Sequence, residues 1–139
     1  MATTTAAVTL TSDLMSDNMS VSSSTTCMKA GSASDGLTQM DMGYIEVATG
    51  TNFDLLDADN ATNVNKANKV YVSNDSTDET YYVQITIDAQ VIGRLYAGDW
   101  MFIPWSAEDA TADVEIQAYG GTNKICYVYF HEGRTLVSA

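Results

Sequence analysis

Apolar residues in this chain recur at every second position in short runs, each closed by a polar or glycine-bearing break. The clearest run is Tyr82–Ile87, where Val83, Ile85 and Ile87 share one face and Tyr82, Gln84 and Thr86 the other. A two-residue period marks a half-buried antiparallel strand. The same alternation predicts strands over Tyr44–Ala48, Lys69–Ser73, Val91–Tyr96 and Asp113–Tyr119, with a shorter apolar patch at Phe53–Leu56. Trp100–Ile103 is a further run that Pro104 is expected to end, because proline cannot donate to a ladder. Ile125–Phe130 is apolar on both faces, as a strand covered on each side would be. The polar segment Asn74–Thr80 and Gly120-Gly-Thr-Asn123 read as hairpin loops. Eight or so short strands at about ten-residue spacing, with almost no helical periodicity, predict an all-β fold: an antiparallel, jelly-roll-like β-sandwich.

Residues 1–40 follow a different pattern. Thr, Ser, Ala and Met dominate them and no aromatic occurs. Val8 and Leu10 flank Thr9, Met19 and Val21 flank Ser20, and the segment from Ser12 to Asn18 can turn the chain. A hairpin of Thr4–Thr11 with Asn18–Cys27 is therefore expected, followed by a linker at Gly31–Gly36. An isolated two-stranded hairpin is marginal in water. The chain is thus expected to divide into an extended N-terminal arm and linker (1–40) and a sandwich domain (41–139), with the arm ordered by another surface. A homo-oligomer, with a trimer favoured, follows from the same reasoning.

The stretch Val91–Trp105 concentrates the uncommon residues: the single proline, both tryptophans and one of two arginines. Arg94 is expected to answer the carboxylate of Asp99 and pin the turn between them. Trp100 and Trp105, with Tyr71, Tyr81, Tyr82, Tyr96, Tyr119, Tyr127 and Tyr129, are expected as core and cross-strand pairs in preference to a ligand platform. Arg94, Asp99, Trp100 and Trp105 are the structural or interaction candidates.

Charge narrows the partners. Six Lys and Arg against 18 Asp and Glu leave a formal charge of −12, which is unsuited to a phosphate backbone, so no nucleic-acid partner is expected. No apolar run is long enough for a membrane-spanning helix, and the start lacks the basic and apolar blocks of a secretory signal, so no membrane partner is expected. Cys27 and Cys126 match no metal or redox spacing; Cys126 is expected as a buried free thiol, unbridged to Cys27. Asp57-Ala-Asp59-Asn60 lacks the glycine and distal glutamate of a calcium loop, and the acids of Asn74–Thr80 fit a turn as well, so no metal is expected. One histidine, His131, and carboxylates confined to polar stretches (Asp57/Asp59, Asp78/Glu79, Glu108/Asp109) assemble no catalytic set. The expectation is a protein that is not an enzyme and takes no cofactor.

Gly93-Arg-Leu-Tyr-Ala-Gly-Asp-Trp-Met-Phe-Ile-Pro-Trp105, followed by an aromatic strand ending Tyr129-Phe-His-Glu132, resembles small virion structural proteins of marine tailed bacteriophages, cyanophages among them. In those a G-R-L-Y-x-G-D-W stretch similarly precedes an aromatic final strand. Val8-Thr-Leu-Thr-Ser-Asp-Leu14 and Lys29-Ala-Gly31 are similar to their amino-terminal regions. The resemblance covers most of the chain, but its motifs are structural, and no functional residue carries over. It implies a place in the virion, assembled in the host cytoplasm, with further copies of the chain and the major capsid protein or another virion protein as partners. The role it suggests is capsid decoration (cement), with a tail or fibre component as the alternative. From a different class, a carbohydrate-binding β module would expose the aromatics and need no arm.

Overall fold

A computed structural model describes residues 3–13, 19–60 and 62–137, and every helix or strand in them is a strand. In chain order these are β1 (Thr4–Ser12), β2 (Met19–Cys27), β3 (Thr38–Val47), β4 (Asn52–Leu56), β5 (Lys66–Asn74), β6 (Tyr82–Ile87), β7 (Gln90–Tyr96), β8 (Trp100–Ser106), β9 (Val114–Tyr119) and β10 (Asn123–Thr135). The alternating runs all became strands. The expected turn between the arm strands falls largely on residues 14–18, outside the described residues.

One four-stranded sheet has the order β3-β10-β5-β8 and the other β4-β9-β6-β7, while β1 and β2 form a separate two-stranded ladder. All named pairs are antiparallel. The pairing has one generating rule. β6 meets β7 across the Asp88–Ala89 turn, β5 meets β8, β4 meets β9 and β3 meets β10, so each strand finds the one equally far from that turn. A single long hairpin has been rolled over itself, and the β10–β5 and β6–β9 ladders close the roll. This is the eight-strand jelly roll, an all-β antiparallel sandwich.

The roll corrects two loop readings. Asn74–Thr80 carries the chain from β5 in one sheet to β6 in the other, and Gly120–Asn123 carries it from β9 to β10, so both are crossings between sheets and not hairpins. Their turn chemistry is the same in either case, which is why local sequence does not separate them. Pro104 does not end its strand either: β8 continues to Ser106, with Pro104 opposite Lys69. β8 is an edge of its sheet, and an edge strand needs ladder donors on one side only, so a proline is tolerated there. The boundary expected between residues 40 and 41 falls inside β3, which begins at Thr38.

The two sheets face each other through the inward positions of the alternation. Val70 and Val72 on β5, Val83 and Ile85 on β6, Val114 and Ile116 on β9, and Ile125 on β10 are all essentially inaccessible to solvent. Each such side chain contributes about 1.5–3 kcal/mol of burial. One end of this core is closed by a polar pin. Asn74 Nδ2 donates to Asn123 Oδ1 at 2.9 Å and to the Leu95 carbonyl at 3.0 Å, while Asn123 Nδ2 reaches the carbonyls of Gly121 (3.0 Å) and Tyr119 (3.3 Å). Both asparagines are completely buried, and together they tie β5 and β10 of one sheet to β7 and β9 of the other.

A buried amide that loses its partner keeps its full desolvation cost. Asn123→Ala is therefore expected to destabilise the fold by about 1–3 kcal/mol, read as a lower urea midpoint with an unchanged denaturant slope. A midpoint equal to that of the parent chain would show that the pin is dispensable.

Candidate interaction surface

The outward positions of the β3-β10-β5-β8 sheet follow directly from its register. Tyr44, Cys126, Ser73 and Trp100 lie side by side across the four strands, then Met42, Val128, Tyr71 and Phe102, then Gln39, Phe130, Lys69 and Pro104. None of these three rows contains an acid, and their one cation, Lys69, is held by Glu132 at 2.9 Å. Tyr44 is 73% exposed, Trp100 49% and Met42 48%. Cys126 is buried, is not bridged, and its contact holds the Tyr44 hydroxyl above its usual pKa. A solvated sheet face ordinarily alternates polar outward against apolar inward. Here the outward rows are themselves apolar.

Across this face lies the root of the β1–β2 hairpin. Gly36 lets it approach: a Cβ there would sit 2.6 Å from the Thr4 backbone nitrogen. Thr4–Val8 on one side, with Tyr71, Trp100, Phe102, Val128 and Phe130 on the other, line a groove of about 390 Å³. The hairpin is amphipathic. Ala6, Val8 and Leu10 pair with Thr25, Ser23 and Val21 on one face, while the other face is made of Thr, Ser and Ala. Its root meets the sandwich, whereas Leu10 is 53% exposed and Val21 51%.

The four candidate residues separate. Trp105 is core, 2% exposed, its indole N–H donating to the Ala112 carbonyl at 2.7 Å and its ring edge-on to Tyr129 at 6.2 Å. Trp100 is not core: it stands on the outer face, stacked against Tyr71 at 6.4 Å between ring centroids. The reason is parity, since positions 101, 103 and 105 of β8 turn inward and 100, 102 and 104 outward. Arg94 and Asp99 do not pair, and among the described residues Arg94 has no ion pair at all. Arg94 is exposed and lies over the Tyr82 ring at 5.0 Å, a contact worth about 0.5–1 kcal/mol at such a site. Asp99 instead closes its own turn, accepting the Tyr96 N–H at 2.9 Å. On the outer face of the second sheet, Tyr82 stacks on Tyr119 at 4.8 Å and leans on Tyr96 at 5.1 Å. Those rings cover one another's faces, so this ladder is cross-strand packing.

His131 belongs to a polar cluster that the sequence does not announce. Its Nδ1 meets Asn68 Oδ1, its ring is edge-on to Tyr129, and its Nε2 is buried without a well-formed hydrogen bond, as is Asn63 Oδ1. Asn63 and Asn68 are buried and donate to the carbonyls of Asp57 and Lys66. The acidic turns are self-contained: Thr80 binds Asp78 and Thr111 binds Asp109 through hydroxyl and N–H, which lowers the pKa of both acids. Among the described residues no group of three His, Cys, Asp or Glu side chains could hold a metal ion.

Comparison with family models, with curated proteins and with solved structures finds no match to this chain.

Two measurements follow from this geometry. Trp105→Ala is expected to cost about 3–5 kcal/mol, as large aromatic truncations in a core do, and Trp100→Ala within about 0.5 kcal/mol of nothing. Equal losses in the urea midpoint would contradict the assignment of inner and outer faces. The second concerns pH. Burial pushes the His131 imidazole below its ordinary pKa, with the Thr62 backbone opposing and the Lys66 ammonium assisting. A lowered folded-state pKa means that the unfolded chain takes up the proton first. Stability is then complete above the unfolded value of about 6.5 and falls as pH drops through it toward the folded value. His131→Gln should flatten that fall, since this is the only histidine in the chain. A parent chain whose stability is constant from neutral to mildly acidic pH would refute it.

Proposed function

We propose that this chain is a structural protein of a tailed-bacteriophage virion, acting as a capsid decoration protein carried in many copies on the shell and assembled in the host cytoplasm. The observation that carries the reading is the pairing of a sheet face whose three outward rows are largely apolar with a hairpin whose two strands carry no charge. A decoration protein needs a compact module that resists unfolding and extended surface with which to hold neighbours. The jelly roll supplies the first and the hairpin and outer face supply the second. The Gly93–Trp105 stretch adds its resemblance to small phage virion proteins. The major capsid protein is the expected second partner.

Antibodies raised against the recombinant chain, applied to phage particles from marine cyanobacterial lysates in immunogold electron microscopy, test the reading. Gold over the head supports decoration. Gold over the tail moves the chain to the tail or fibre. Particles that stay unlabelled, although lysates of infected cells contain the chain, would remove it from the virion.

A second reading has one observation of its own: Trp100, half-exposed beside Tyr71, is a surface on which a sugar ring can stack. A glycan array would distinguish them. Binding by the parent chain that Trp100→Ala abolishes, with no change in stability, would favour a carbohydrate-binding module.

A further inference from the structure

The groove beneath the hairpin root has an apolar end and a polar neighbour. Its sheet side runs diagonally from Trp100 and Phe102 on β8, past Tyr71, to Val128 and Phe130 on β10, and none of its lining residues is charged. A second cavity of about 620 Å³ adjoins it, sharing Thr4, Thr5 and Phe130, and reaches Thr38 and Gln39 on β3. That cavity is lined mostly by polar groups, and Lys29 is among them. Together they form a slot that is apolar at the β8 edge and carries a cation at the β3 edge.

We propose that this slot binds a single-chain fatty acid of about ten to twelve carbons, its alkyl tail on the Trp100–Phe130 side and its carboxylate beside Lys29. The inference does not depend on where the chain resides, so it stands apart from the virion reading.

Charge selects the head group. Gly133 leaves room for the Lys29 stem on β10, since a Cβ there would sit 2.9 Å from Lys29 Cγ. The Lys29 N–H donates to the Asp35 carbonyl at 3.1 Å, and the next N–H, that of Ala30, donates to the Glu132 carbonyl at 2.7 Å. The residue is thus fixed on both sides and half-buried. Among the described residues its ammonium has no ion pair, in a chain whose 18 acids face six cations. Asp35, the one acid lining either cavity, is exposed and forms no bridge to it. Asp75 and Glu132 line neither cavity, and Glu132 already holds Lys69 and Arg134. A fixed cation left without a counterion is matched by a carboxylate, through charge-assisted hydrogen bonds.

Size selects the tail. The apolar cavity of about 390 Å³ holds about a dozen methylenes if each takes the roughly 30 Å³ of a water molecule. From β8 to β3 is three strand spacings, about 14 Å. An alkyl chain with bonds of about 1.5 Å advances roughly 1.3 Å per carbon, so about eleven carbons span that distance. The two estimates agree. An apolar pocket of such volume with a few polar groups at one end is the usual form of a small-molecule site.

The test is isothermal titration calorimetry of the full-length chain with octanoate, decanoate, dodecanoate and tetradecanoate, each below its micelle concentration. One site per chain is expected, tightening about threefold per added methylene up to dodecanoate and little beyond it. Lys29→Met keeps the stem and removes the charge, so it should weaken decanoate about tenfold and leave decanol unchanged. Ala6→Phe places a ring in the groove from the hairpin side and should abolish binding of both, with the urea midpoint of the sandwich retained. Absence of binding, an affinity independent of chain length, or binding that survives Ala6→Phe overturns the proposal. So does a Lys29→Met chain that treats decanoate and decanol alike, since the carboxylate would then lie elsewhere. If Ala6→Phe unfolds the chain, that comparison of acid with alcohol decides alone.

Discussion

The buried Asn74–Asn123 pair, whose amides reach the Leu95 and Tyr119 carbonyls of the opposite sheet, is the constraint through which the rest of the jelly roll is aligned. A rolled hairpin has little besides side-chain packing to keep its two sheets in register, because ladder bonds run within sheets and not between them. Packing of Val, Ile and Ala faces tolerates some sliding. An amide pair with no exposed surface does not, since a small displacement strands polar groups in an apolar medium. The Asn74 main chain is engaged too: its N–H donates to the Asp99 carbonyl and its carbonyl accepts from Gly98 N–H, so the β7–β8 crossing is fixed by the same residue. Three crossings between the sheets thus converge on one buried contact.

With the inner faces fixed, the outer faces are free to differ, and they do. The β4-β9-β6-β7 sheet turns out tyrosines, Gln84, Gln117 and Arg94, which pair laterally across strands, with Val91 and Ile92 exposed on its edge strand β7. The β3-β10-β5-β8 sheet turns out Met, Val, Phe and Trp in adjacent registered rows. Both satisfy the fold equally, because the jelly roll requires only the inward positions to be apolar. The difference is therefore not imposed by the sandwich, and among the described residues the β1–β2 hairpin crosses the second of these faces.

How much of this is legible in the sequence depends on how far apart the interacting residues lie. Val83, Ile85 and Ile87 announce their strand and its face within six residues. The sheet assignment of that strand is invisible, because the turn at Asp88–Ala89 and the crossing at Gly120–Asn123 use the same small and polar residues. The Arg94–Asp99 pairing fails for a related reason: nearness along the chain favours it, but the strand carries Arg94 over Tyr82 while the turn consumes the Asp99 carboxylate. Trp100 was legible in principle, since a strand that buries Trp105 must expose the residue five before it. Asn74 and Asn123 were not, because a buried asparagine at the end of a strand is spelled like any turn residue. His131, Asn63 and Asn68 are hidden likewise: more than sixty positions separate the histidine from its asparagines, and no local pattern marks them.

The acids are placed by the same geometry. Asp57, Asp59, Asp75, Asp78, Glu79, Glu108 and Asp109 all fall in the loops that join the strands, where threonine hydroxyls or backbone N–H groups occupy several of them. A large net charge ordinarily keeps copies of a protein apart. Most of it stands in those loops, at the ends of the sandwich, while Asp41, Glu46, Asp54, Glu115 and Glu132 sit on strands, so charge is sparser along the sheets without being absent from them. Such a distribution opposes end-to-end stacking while permitting contact along the sheet. Repulsion between two such charge distributions is therefore strongest at the ends of the sandwich and weakest across the outer rows of the β3-β10-β5-β8 sheet.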